Sequence, residues 1–289
     1  MSIVLAPLLL LLNLILLNLI LFLLSMAIHE QIDNLNIWWF PRDFCQSRFG
    51  EFQQSGTNSC TLISLILADK VAKAERFYHR VAELPPRGWE IFGNAMNDGN
   101  SVYHNVITAH TPMARNLNLN IPDAISAIRS QHKMNFRLEE WFYTHMEADP
   151  TTPMYNRNVA MQLSRIFQIT LQVFQQAAGS NRDMPSNLFA AIIADSRTVM
   201  MTFDFRASIV ALFDSHQHGR DAGAVFAQCT IQNIDDLLFW FISMLHNVYS
   251  SRPALFEISF LSSQPGVAKR IPPAIKKIAN DIKKPSKIH

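Results

Sequence analysis

The chain has 289 residues, 49% of them apolar, and a formal net charge of +2. This composition excludes an intrinsically disordered chain and supplies a substantial core for one large or two small domains. The near-neutral charge gives no electrostatic footprint for nucleic acid, and three cysteines, Cys45, Cys60 and Cys229, are too few for a disulfide framework or a four-cysteine zinc site.

Free thiols and a reducing compartment are therefore expected, and no Asn-x-Ser/Thr glycosylation acceptor is present. Between residues 3 and 28 the chain is uncharged and dominated by Leu and Ile. A helix of that length crosses roughly 30 Å of hydrocarbon at about 1.5 Å per residue, so residues 1–28 read as a transmembrane anchor. The alternative is a cleaved secretory signal ending at Ser25-Met26-Ala27, which would make the protein secreted; no basic residue precedes the run. Arg42 and Arg48 follow it, a pattern that places the rest of a single-pass protein in the cytoplasm. Residues 29–52 form a junction in which Trp38, Trp39 and Phe40 read either as interfacial aromatics or as rings packed beside the domain.

Residues 53–252 carry the predicted domain. A polar loop, Gln54-Ser55-Gly56-Thr57-Asn58-Ser59, runs into an apolar helix expected over residues 60–81. Residues 93–105 read as a loop, with Asn97-Asp98-Gly99-Asn100 as a turn. Asn120 caps a helix with Pro122 in its first turn, and a helix follows over 158–177. Residues 187–194 are expected to form a short apolar helix, and strands are expected at 198–205, 208–213 and 223–229. Asn233-Ile234-Asp235-Asp236 then opens a helix to about residue 248. The order, helices first and a strand cluster late, gives an α+β fold. Residues 253–289 are expected to be a basic tail, with Lys276-Lys277, Lys283-Lys284 and isoleucines at helical spacing.

Two islands carry candidate chemistry. Cys60 stands at a predicted helix start, where unpaired backbone N–H groups and the helix dipole favour thiolate. His216, at the end of a predicted strand, supplies a base, and Asp214, two residues earlier and on the same face, supplies a carboxylate to orient it. Oxyanion stabilisation is assigned to the Cys60 N–H and an upstream side-chain amide, with Gln54 first and Gln53 and Asn58 as alternates. A competing reading pairs His216 with His218 as metal ligands, with His145, Glu147 and Asp149 as scattered further candidates.

Gly56-Thr57-Asn58-Ser59-Cys60-Thr61 before an apolar helix, with Phe213-Asp214-Ser215-His216 before a glycine-bounded turn and a strand, resembles the papain-like cysteine proteases of the herpesvirus tegument deubiquitinase type and related eukaryotic and transposon-encoded domains. The resemblance covers about residues 55–70 and 210–228. It implies a papain-like fold with Cys60 as nucleophile, His216 as base, Asp214 as orienting acid and Gln54 as oxyanion donor. It further implies a thioester route without a cofactor, and ubiquitin or ubiquitin-like conjugates as partners. The alternatives are a catalytically silent papain-like binding module and a metal-binding protein using His216 and His218.

Overall fold

The computed structural model describes residues 27–53, 58–74, 76–109, 117–134, 136–179 and 187–263. The apolar segment read as an anchor or signal and the basic tail beyond residue 263 lie outside the described residues. None of the described helices is long and apolar enough to cross a membrane.

Among the described residues, eight strands form one sheet: β1 (Ile28–Ile32), β2 (Leu35–Pro41), β3 (Phe136–His145), β4 (Asn187–Ala194), β5 (Arg197–Asp204), β6 (Ile209–Asp214), β7 (Ala222–Thr230) and β8 (Leu255–Ser263). The order across the sheet is β1-β2-β7-β6-β5-β4-β8-β3, and every pairing is antiparallel. Among the described residues, five α-helices cover it: α1 (Cys60–Lys73), α2 (Gly88–Ala109), α3 (Ile121–Arg129), α4 (Tyr155–Gly179) and α5 (Ile234–Tyr249). Successive strand residues point to opposite faces, and both faces are buried. On β4, Leu188, Ala190 and Ile192 enter a core shared with α4 and α5, while Phe189 and Ala191 enter a second core shared with α1, α2 and α3. The architecture is thus α+β, with helices on both faces of an antiparallel sheet.

Double-sided burial explains one correction. Residues 187–194, Asn-Leu-Phe-Ala-Ala-Ile-Ile-Ala, form strand β4 rather than a helix. A strand covered on both faces loses its polar alternation and reads as a continuous apolar run. Of the two readings of the junction aromatics, packing on the domain is the one seen: Trp38 and Phe40 are buried core residues of β2, and Trp39 packs against the opposite core. Residues 255–263 likewise form a strand between β4 and β3 instead of beginning a tail.

A further correction is in α2. Asn97-Asp98-Gly99-Asn100 continues the helix instead of turning it. Gly99 permits the close approach of α1, since a Cβ there would lie 2.9 Å from the Cα and N of Ile63. Helix α1 ends at Lys73, earlier than expected, because Ala74 turns extended and Arg76 has positive φ. The chain then sends Tyr78 inward to hydrogen-bond Thr202 on β5. Two helix starts are as read: Asn120 accepts from the Asp123 N–H at the start of α3, and α5 carries Asp235 and Asp236 in its first turn.

Candidate active site

Cys60 is the first residue of α1. Ser59, at the N-cap, makes no side-chain cap; its hydroxyl donates instead to Asn100 Oδ1 at 2.6 Å. No acidic residue occupies the first turn, so the positive end of the helix dipole acts on the sulfur. The apolar face behind Cys60 buries Leu62, Ile63, Leu65 and Ile66. That burial fixes the helix, and with it the sulfur, against the sheet. The Cys60 Sγ lies 3.7 Å from Thr198 Oγ1 on β5, and Cys60 and His216 line the same cleft.

His216 follows β6 by two residues. Phe213, on the last turn-free stretch of that strand, packs on Phe226 and Phe92 with ring centroids 4.6 and 5.5 Å away, which anchors Asp214 opposite Val225 in the register. Asp214 is fully buried; its Oδ1 accepts from the His216 backbone N–H at 2.9 Å and lies 2.5 Å from His216 Nδ1. With Nδ1 engaged there, Nε2 is the nitrogen left for the sulfur. The structure therefore brings together Cys60, His216 and Asp214, which are separated by more than 150 residues in the chain.

The electrostatics follow from that geometry. Burial pushes the Cys60 thiol up, but the hydrogen bond and charge of His216, helped by Thr198, outweigh it and leave the thiol below its ordinary value. Burial disfavours charge on His216, yet the Asp214 carboxylate and the hydrogen bonds to Asp214 and Cys60 raise it to about 10. Burial also opposes ionisation of Asp214; the two neighbouring histidines overcome it and hold the carboxyl well below the usual carboxylate range. Both shifts favour a thiolate–imidazolium pair backed by a carboxylate.

Gln54 lies outside the described residues, Gln53 is exposed, and Asn58 lines the cleft beside Cys60 and His216. The sequence reading missed Gln46, which lines the same cleft of about 330 Å³. Its Oε1 accepts from Ser215 Oγ at 2.8 Å and its backbone N–H donates to Ser215 O at 2.8 Å. The buried Asn100 donates to Gln46 O at 2.8 Å while accepting from Ser59. Ser59, Asn100, Gln46 and Ser215 thus form one chain of hydrogen bonds joining the residue before Cys60 to the residue before His216. The loop carrying Gln46 lies directly on Gly223, where an added Cβ would meet Pro41 O at 2.2 Å and Phe44 O at 2.5 Å. In sequence, nothing about the spacing of Cys45-Gln46-Ser47 announces this role, and Asn100 was hidden within an apparent turn.

The cleft's far wall comes from the β4–β5 turn and the end of α5. Asp195 and Ser196 both have positive φ, Arg197 stacks over Tyr249 at 4.1 Å, and the Tyr249 hydroxyl donates to Gln217 O at 3.0 Å. A larger cavity of about 530 Å³ lies beyond the C-terminal end of α1, lined by Lys73, Arg76, His79 and Arg206, and includes neither Cys60 nor His216. The metal reading does not fit the geometry: His216 Nδ1 and His218 Nε2 both point at Asp214, and His218 Nδ1 faces Gly223 O at 2.7 Å. Among the described residues no group of three or more potential ligands converges.

No family model matches the chain, and no curated protein matches it in sequence. Among solved structures, it is similar to two proteins. One is the ubiquitin-specific protease encoded by the murine cytomegalovirus tegument protein M48, in complex with a ubiquitin-based suicide substrate: 10% identity, 86% of this chain and 97% of that one covered, TM-score 0.42. The other is the Pseudomonas avirulence protein AvrPphB: 14% identity, 71% of this chain and 92% of that one covered, TM-score 0.38. Both TM-scores lie below 0.5, and the chemistry that follows is drawn from the site's own geometry.

Proposed function

We propose that the chain is a papain-like cysteine hydrolase that cleaves the peptide or isopeptide bond after a ubiquitin-like C-terminus. The observation that carries the reaction type is the placing of Cys60, at the start of a helix, in one cleft with His216, whose Nδ1 lies 2.5 Å from Asp214 Oδ1. The Cys60 thiolate attacks the scissile carbonyl carbon, and the negative charge that develops on oxygen is met by the Cys60 backbone N–H and the Gln46 side-chain amide. Collapse of the tetrahedral adduct expels the amine, which takes its proton from the His216 imidazolium, and leaves a thioester on Cys60. Neutral His216 then removes a proton from water as it attacks the thioester. The acid product departs and the thiolate–imidazolium pair is restored. Asp214 keeps Nδ1 engaged throughout, so that Nε2 faces the reacting atoms.

The substrate class rests on the sequence resemblance of the Cys60 and Asp214-Ser215-His216 islands, together with the shape of the cleft. Cys60 is only 4% exposed, beneath the Asp195–Ser196 turn. Such a recess favours glycine-like residues at the scissile bond over bulky ones. The test is incubation of the full chain with ubiquitin bearing a C-terminal electrophile. A covalent adduct that disappears in Cys60→Ala is the expected result. No adduct defeats the ubiquitin assignment, and no labelling by any thiol-directed peptide analogue defeats the hydrolase itself.

A further inference from the structure

His218 has no part in the reaction as written, yet it is 5% exposed and sits on the same carboxylate as His216. Its backbone N–H donates to Ala222 O at 2.9 Å, which pins the turn after β6 to the start of β7. Its Nδ1 lies 2.7 Å from Gly223 O and its Nε2 lies 3.2 Å from Asp214 Oδ2. A peptide carbonyl and an ionised carboxylate offer only lone pairs. An imidazole with one N–H would satisfy one of them and turn its own lone pair against the other. Both contacts are attractive only when each ring nitrogen carries a proton.

The surroundings leave Asp214 as the charge that faces this ring directly. Trp39 meets it edge-on at 5.5 Å and Tyr249 lies at 5.7 Å. The Tyr249 phenol is pushed above its ordinary range, chiefly by burial, and its hydroxyl donates to Gln217 O. Arg197 is stacked on Tyr249 at 4.1 Å, and His216 holds the other Asp214 oxygen.

We propose that His218 is a positioning residue of the site: with a proton on each ring nitrogen it ties Asp214 Oδ2 to Gly223 O and tempers the carboxylate's charge. This rests on the Cys60–His216–Asp214 reading and deepens it. A buried carboxylate facing His216 alone would raise both the imidazole and the adjacent thiol, so that the thiolate would form only at higher pH and the imidazolium would release its proton less readily. A second imidazolium on the opposite oxygen lowers both towards neutrality. It also fixes the carboxylate plane, so that Oδ1 stays on Nδ1.

The experiment is the pH dependence of Cys60 alkylation by iodoacetamide in the full chain and in His218→Gln, with the background from Cys60→Ser subtracted. The expected result is that both limbs of the profile move up by about one pH unit in the variant, with alkylation at neutral pH slowed about tenfold. Profiles that overlay overturn the proposal. Nitrogen-15 spectra of His218 in the unsubstituted chain at pH 7 provide the second measurement, which holds even where His218→Gln does not fold: two protonated ring nitrogens support the proposal and one bare nitrogen overturns it. The ubiquitin electrophile, applied to the same preparations, separates the two levels. A displaced alkylation profile without a ubiquitin adduct removes the substrate assignment and supports the role of His218.

Discussion

Replacing Gly99 with alanine sets a gain in helix propensity against a collision. In an exposed helix interior the change stabilises by about 1 kcal/mol. Gly99 instead faces α1, where a Cβ would fall 2.5 Å from Ile63 Cγ1 and 2.9 Å from Ile63 Cα and N. The side-chain carbon can rotate aside, but the backbone atoms cannot. Restoring an ordinary contact of at least 3.4 Å therefore moves α1 and α2 apart by about 0.5 Å. Overpacking costs about 1–3 kcal/mol, and a backbone collision belongs at the upper end, leaving a net loss of about 2 kcal/mol. For a domain of this size the thermal midpoint falls by about 4–8 °C. The same displacement moves Cys60, one turn before Ile63, relative to His216 on the sheet, and half an ångström of misalignment slows turnover about tenfold. Thermal unfolding and the rate of Cys60 acylation measure the two effects. A Gly99→Ala chain as stable as the unsubstituted one would refute the close-approach reasoning.

Three further outcomes are expected. Gln46→Ala lowers kcat by about 10²–10³-fold with little change in KM if its amide meets the oxyanion, and a raised KM with kcat unchanged would assign it to ground-state binding. Alkylation of Cys60 rises as pH climbs through its lowered thiol pKa and stays governed by the ion pair until His216 loses its proton near its raised value of about 10; Cys229, pushed up to about 12 chiefly by burial, remains unreacted across the same range, as mass mapping of the labelled chain would report. Asn100→Ala removes the buried hydrogen bonds to the Ser59 hydroxyl and the Gln46 carbonyl and costs about 2–4 kcal/mol by urea unfolding; a loss under 1 kcal/mol would mean that the bridge between the two loops is dispensable.

The elements that were legible in sequence had one apolar face or a local stop signal. Asn120 with Pro122 marked α3, and the stripe through Val159, Leu163 and Phe167 marked α4, because caps and 3.6-residue periodicity are local. Cys60, Asp214 and His216 were legible as candidates for the same reason: a helix start and a two-residue strand spacing each fix a side chain's direction. What escaped depended on distant neighbours. Gly99 within Asn97-Asp98-Gly99-Asn100 looks like a turn until Ile63 is placed against it, and residues 187–194 look helical until both faces are covered. Gln46 joins the site only because Gly223, far along the chain, lets its loop lie against β7. The second hydrogen bond on Asp214, from His218, is equally invisible without the turn that folds residue 218 back towards 222.

The strand order also governs how the molecule can be made. Phe136 at one end of β3 lies opposite Ser263, and Asn36 on β2 lies opposite Gln228, so both early strands wait for partners from the last quarter of the chain. At a synthesis rate of about 5–20 residues per second, β3 leaves the ribosome on the order of ten seconds before β8 arrives to pair with it. During that interval Trp38, Phe40 and Phe136, all buried in the finished sheet, belong to a nascent polypeptide whose sheet cannot yet close. Release of the C-terminus of β8 is then the event that commits the chain to its native state, and a nascent chain stalled at residue 252 would present chaperones with unpaired edges at both β3 and β4.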